Sequence, residues 1–271
     1  MEISLVISYF LAILVGLLLG ALGGGGSILA LPIFVYILGI DPILATTYSL
    51  FVVGISSSIG AFKSFKNKLV DFNALIYFGI ASVISVVITR TFILDLIPEI
   101  ISLPYISLTK GKFIMLLFSV LMLGAAISMI INKDNGKPKQ DLMLSNPTVF
   151  DKIILVLQGL FDGLITGLVG AGGGFLIVPT LVLISKIDVK IAVATSLAII
   201  SIKTIIGFIS SYKTDTNIDF TFLIIFTLIA IVGIVIGLKL ATKIKAEQTK
   251  KYFGYFLIIV SFTIFYKEFI N

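Results

Sequence analysis

Apolar runs alternate with short polar connections along the whole chain, and the runs come in two lengths. Eight of them are close to the roughly 20 residues that a bilayer-crossing helix needs: Ile3–Leu22, Ile43–Phe62, Phe72–Thr89, Phe113–Ile131, Ile153–Val169, Ile191–Ser211, Phe220–Leu238 and Tyr252–Phe265. Two are short, Ile28–Leu38 and Phe175–Ser185. The pattern predicts an all-α, polytopic integral membrane protein with about 8 to 10 membrane helices, depending on whether the short elements cross or re-enter. One long polar stretch, INKDNGKPKQDLMLSNP from Ile131 to Pro147, reads as a surface linker. It divides the chain into a first membrane unit over residues 1–132, a cytoplasmic linker over 133–150, and a second membrane unit over 151–271.

The two units are one sequence written twice. GLLLGALGGGGSILALPIFVYILGID, Gly16 to Asp41, aligns without a gap on GLITGLVGAGGGFLIVPTLVLISKID, Gly163 to Asp188. Extended to Lys66 and Lys213, the match holds roughly 20 identities over about 51 positions, beyond what shared apolar composition produces. Lysines give the two copies opposite orientations, because short cytoplasmic loops collect Lys and Arg. Copy one has Lys63, Lys66 and Lys68 after its third element, where copy two has Lys213 beside Asp215 and Asp219. One connection later the bias reverses: copy two has Lys239, Lys243, Lys245, Lys250 and Lys251, whereas copy one has Asp95 and Glu99 in a connection flanked by Arg90, Lys110 and Lys112. Inversion requires an odd number of crossings per copy, so the short element is expected to traverse as part of a broken helix. Inverted repeats with interrupted helices are the architecture of many secondary transporters, which bind their cargo between the repeats near mid-membrane.

Composition narrows the chemistry. Hydrophobic residues make up 58% and charged residues 13% of the chain, against about 25% charged in a soluble domain. Mean hydropathy is +1.18. Cys and His are absent, which removes thiolate and imidazole metal sites, disulfides, Cys and His nucleophiles and the usual near-neutral proton carrier. No metal or cofactor is expected, and no enzyme activity. The net charge of +6 sits in loop lysines rather than on one face, so it points to topology and not to nucleic acid. The expected partners are the lipid bilayer and a small anion; the sequence leaves the oligomeric state open.

Four consecutive glycines, Gly23 to Gly26, interrupt the first copy, and Gly170, Ala171, Gly172, Gly173 and Gly174 interrupt the second. Each glycine costs about 1 kcal/mol in a helix relative to alanine. They are either small residues for close helix packing or an unwound, lined cavity. In the second case successive bare amides form an anion-binding nest, reinforced by the helix that starts at Ser27 or Gly174. Ser49, Thr195 and Ser196 add hydroxyl donors nearby. Lys203 lies about 12 Å from the end of its apolar run, too deep for easy snorkelling, so it calls for an internal partner or a functional role. Its counterpart in copy one is Ser56. Asp41 and Asp188 read as N-cap residues or as coupling carboxylates; Asp162, early in its helix, reads as an interfacial residue or a second coupling candidate.

The paired glycine-proline motifs, each followed by an Asp and then by Ser49-Leu50 or Ser196-Leu197, resemble the TauE/SafE family of prokaryotic membrane proteins, described as sulfite exporters. The resemblance covers nearly the whole chain and implies a multi-pass cell-membrane protein that passes small sulfur-containing or organic anions such as sulfite, sulfoacetate or thiosulfate. It assigns no role to Lys203. The expected function is therefore secondary transport of a small anion, with Gly23–Ser27 and Gly170–Gly174 as backbone donors and Lys203 as the balancing charge. The alternatives are an anion channel and a cation-coupled permease that uses Asp41 and Asp188.

Overall fold

In a computed structural model, residues 2–102, 107–131, 147–183, 185, 187–212, 218–240 and 246–270 are described. The expected linker falls on residues outside this set, apart from its C-terminal end. Among the described residues there are ten helices, five per copy: α1 Glu2–Leu22, α2 Ser27–Ile37, α3 Pro42–Lys66, α4 Phe72–Leu96, α5 Lys110–Ile131, α6 Val149–Val169, α7 Gly174–Leu183, α8 Val189–Tyr212, α9 Phe220–Leu240 and α10 Ala246–Ile270. Eight are long and apolar enough to cross a membrane; α2 and α7 are the short ones. A small antiparallel hairpin, β1 Ile100–Ser102 with β2 Ser107–Thr109, joins α4 to α5.

Local chemistry sets the helix ends. Asp41 caps α3, with Oδ1 accepting from the Ile43 N–H at 2.9 Å, and Pro42 fills the first turn, where no amide partner is needed. Thr148 and Asp151 form a capping box at the start of α6. At the other end, α1 and α6 both stop on a left-handed glycine: Gly23 and Gly170 each have φ of 71°, and their N–H groups close back on Leu19 and Thr166. α4 runs seven residues past the expected Thr89, because Phe92, Ile93 and Leu94 continue its apolar surface. It contains two π-helical turns, Leu75–Gly79 and Thr89–Ile93. This corrects the placement of Arg90, which is buried inside α4 rather than at the edge of a loop.

The copies interlock rather than standing apart. α3 and α8 cross at the centre, with Gly54 against Thr204 and Gly60 against Leu197, so they run antiparallel. α1 lies along α9 in the same direction, Gly16 on Ala230 and Gly20 on Ile234; α6 lies along α4 the same way, Gly159 on Phe78 and Gly163 on Ser82. At each of these four glycines a Cβ would collide with a backbone carbonyl, so small residues set the helix separation. α5 and α10 form a further antiparallel pair, tied by the bond from the Ser261 hydroxyl to the Ser119 carbonyl at 2.7 Å.

These directions fix the symmetry. α3 and α9 run together, Tyr48 against Phe222 and Gly60 against Ile234, and so do α4 and α8, Gly79 against Ile199 and Gly207 against Val86. Hence α1 and α3 point one way while α6 and α8 point the other, and the copies have inverted topology. Since α1 and α3 are parallel, α2 with its glycine lead-in has to return the chain to the face where α1 began. The central pair is the most enclosed, 67% and 72% of its spanning residues being buried, whereas Phe10, Phe62 and Phe262 face outward to lipid.

Candidate functional site

The two glycine breaks lie against each other at the centre of the molecule. Gly24 packs on the backbone of Gly174, and Gly172 faces Ser27, Val53 and Ile200. Residues 22–31 and 165–175 are buried without interruption. The breaks take different shapes. The first is turn-like, with Ser27, Ile28 and Leu29 donating to the carbonyls of Gly24, Gly25 and Gly26. The second is more extended and puts Gly170, Gly172 and Gly173 all at positive φ, which only glycine adopts without strain.

The amides of Gly24, Gly25 and Gly26, and those of Ala171, Gly172 and Gly173, have no hydrogen-bond acceptor among the described residues. The same holds for two buried hydroxyls on α3, Ser49 and Ser56. Buried polar groups are ordinarily satisfied, so a concentration of orphan donors marks a place that a ligand or water completes. Other predicted residues are occupied. Ser27 donates to the Gly24 carbonyl at 2.6 Å, and Ser196 donates to the Gly23 carbonyl at 2.5 Å, pinning the first break to α8. Thr195 accepts the Asp71 N–H at 2.9 Å and so braces the start of α4 rather than the centre.

Lys203 is fully buried on α8, and its ammonium donates to Asp162 Oδ2 on α6 and to Thr166 Oγ1 at 3.0 Å. Ser82 on α4 donates to the same carboxylate oxygen at 3.0 Å. Asp162 is thus not interfacial: the ion pair and the Ser82 bond hold it in the interior, 2% exposed. Gly173 completes the cluster, since a Cβ there would strike Asp162, Thr166 and Lys203. Asp41 and Asp188 lie elsewhere, exposed at the N-termini of α3 and α8, where each accepts a backbone N–H. The cation-coupled permease thereby loses the carboxylates it needed at the centre.

Sequence reasoning missed Ser82, Thr166 and Tyr48. Thr166 carried a usable signal, because it lies one turn from Asp162 on the same helix face. Tyr48 and Thr195 occupy equivalent positions in the two copies, and both accept an N-cap residue's amide: Asp219 N–H on Tyr48 at 2.7 Å, Asp71 N–H on Thr195. Only the fold brings those pairs together.

Broken short helices, inverted halves and orphan donors at the contact between them define the class: a polytopic membrane transporter. The sequence profile of the sulfite exporter TauE/SafE family matches residues 8–264, and the chain belongs to that family. A probable membrane transporter protein of Methanocaldococcus jannaschii is 31% identical over 258 residues, 89% of this chain and 88% of its own. A probable membrane transporter protein of Xylella fastidiosa is 24% identical over 269 residues, 98% of this chain and 96% of its own. No solved structure matches the chain.

Proposed function

We propose that the chain is a secondary transporter of a small anion of the sulfur oxyanion or organosulfonate class, the group that includes sulfite, sulfoacetate and thiosulfate. The observation that carries this reading is the set of unpartnered amides contributed by both breaks, within the same buried centre as Lys203. Backbone N–H groups complement the oxygens of a sulfonate or sulfite without offering a competing negative charge. Membership of a family described as sulfite exporters supports the sulfur class. Alternating access suits the architecture, because the short helices have room beside them: a groove of about 310 Å³ borders α2, lined by Pro32, Tyr36 and Phe256 among others, and one of about 200 Å³ borders α7 at Pro179.

The lysine distribution supports a plasma-membrane protein with the linker inside. On the face where α3 ends and α4 begins lie Lys63, Lys66 and Lys68, joined by Lys152, Lys190, Lys239 and Lys251 on the other helix ends of that face, with Asp71, Asp151 and Asp188 beside them. The opposite face carries Asp41, Asp95, Glu99, Asp219 and Glu268 with Lys110, Lys112 and Lys267. The division into 1–132, 133–150 and 151–271 is kept as part of this reading, with α6 beginning at Val149, inside the last two positions of the linker.

Uptake of labelled sulfite, thiosulfate and sulfoacetate into proteoliposomes tests the proposal. Wild-type protein is expected to take up at least one of them with saturation and counterflow, which a channel does not show. Gly173→Ala, which places a methyl group on the ion pair, is expected to lower that uptake at least tenfold. Flux that rises linearly with concentration, or uptake unaffected by Gly173→Ala, would reject the site.

A further inference from the structure

Resting on that reading of the site, we propose that Asp162 is a proton acceptor and that anion transport is obligatorily proton-coupled, one proton moving with each monoanion. The argument starts from the two oxygens of one carboxylate. Oδ2 is fully engaged, accepting from both Lys203 and Ser82. Oδ1 is buried and bonded to nothing among the described residues, and it lies against the bare backbone of Gly173, within the second glycine break. The vacant acceptor therefore faces the place where the anion is held.

Charge balance does the rest. With Asp162 ionised, the Lys203–Asp162 pair is neutral. The other charged groups on the helices packed around it are Asp41 capping α3 with Lys63 and Lys66 in its last turn, Asp71 capping α4 with Arg90 and Asp95 on it, Lys110 and Lys112 on α5, Asp151 and Lys152 on α6 and Lys190 on α8; α7 has none. Arg90 is two turns beyond Ser82, and the rest lie at helix ends. An anion arriving alone at Lys203 would leave one uncompensated negative charge in a low-dielectric interior, which is strongly disfavoured. A proton taken up on Oδ1 restores neutrality. It also gives Asp162 an O–H directed at the ligand, and it releases the ammonium to pair with the anion. Proton and anion thus raise each other's affinity, as linkage requires. On the far side both leave: the carboxylate reforms its ion pair, and the empty carrier returns with no net charge. No bond other than those of the transferred proton is made or broken, and the summed charge crossing the membrane is zero.

The test uses full-length protein in proteoliposomes enclosing a pH-sensitive dye, with the sulfur-anion panel outside and, for the charge balance, methanesulfonate, a sulfonate that stays a monoanion. Thiosulfate and sulfoacetate are dianions at neutral pH and with one proton would carry one net negative charge. In wild type, each transported monoanion is expected to bring one proton inward. For a monoanion, accumulation should rise about tenfold per pH unit by which the outside is more acidic than the lumen, and ignore an imposed potassium diffusion potential. Asp162→Asn, which mimics the protonated form, is expected to exchange labelled for unlabelled anion while its uptake ignores the pH gradient. Asp162→Glu is expected to restore the gradient response. Anion uptake without dye response in wild type, or gradient-driven accumulation by Asp162→Asn, would overturn proton coupling and leave the anion site standing. Failure of every anion in the panel to move would overturn the underlying reading as well.

Discussion

At the scale of single residues, the molecule depends on a few polar atoms held out of water. Lys203 and Asp162 stabilise one another only as a pair, since removal of one partner from a buried ion pair costs about 3–5 kcal/mol through the charge left behind. Lys203→Met is expected to lower the thermal midpoint of the detergent-solubilised protein markedly, and Lys203→Met with Asp162→Asn to recover most of the loss; additive losses would show that the two are not coupled. The depth of Lys203 was legible in the sequence, because a lone cation inside a helical apolar run has no inexpensive explanation. Its partner was not. Asp162 lies 41 positions away, and an early place in its helix misjudges its depth, since it is the fourteenth of the 21 residues of α6. Orphaned hydroxyls such as Ser49 and Ser56 are equally invisible to sequence, because whether a serine bonds to the preceding turn is settled by its rotamer.

Among elements, the ten apolar runs were all legible, since lipid demands long apolar stretches and the repeat supports the first three runs of each copy. Their ends were less so, as the extension of α4 through Arg90 shows. Packing between elements follows glycine ladders, Gly16 and Gly20 on α1, Gly159 and Gly163 on α6. Gly163→Leu is expected to push α6 off α4 and cost at least about 1–3 kcal/mol, read as a lower melting temperature and loss of transport together. The Tyr48 and Thr195 contacts are bolts between elements of opposite copies. Tyr48→Phe removes the acceptor for the Asp219 amide and is expected to cost about 1–3 kcal/mol if that amide stays buried. An unchanged melting curve would show that water replaces the phenol.

For the whole molecule, inversion was legible from loop lysines and parity, and the packing directions of α1, α3, α6 and α8 agree with it. The absence of cysteine makes the arrangement directly measurable. Cysteine at Asn67 or Lys190 is expected to react with an impermeant maleimide only from the cytoplasmic side, and cysteine at Ser102 only from outside; Asn67→Cys and Lys190→Cys labelling from opposite sides would refute inverted halves. What the sequence could not convey is how unequally the copies treat the centre. Asp162, Thr166 and Lys203 correspond in the first copy to Val15, Leu19 and Ser56, so one half supplies the entire charged cluster and the other a greasy imitation of it. Two identical halves would leave the empty carrier indifferent between its two openings, like a balanced see-saw. With ballast on one arm only, its idle posture has a built-in preference, set at three of the many positions where the two copies differ.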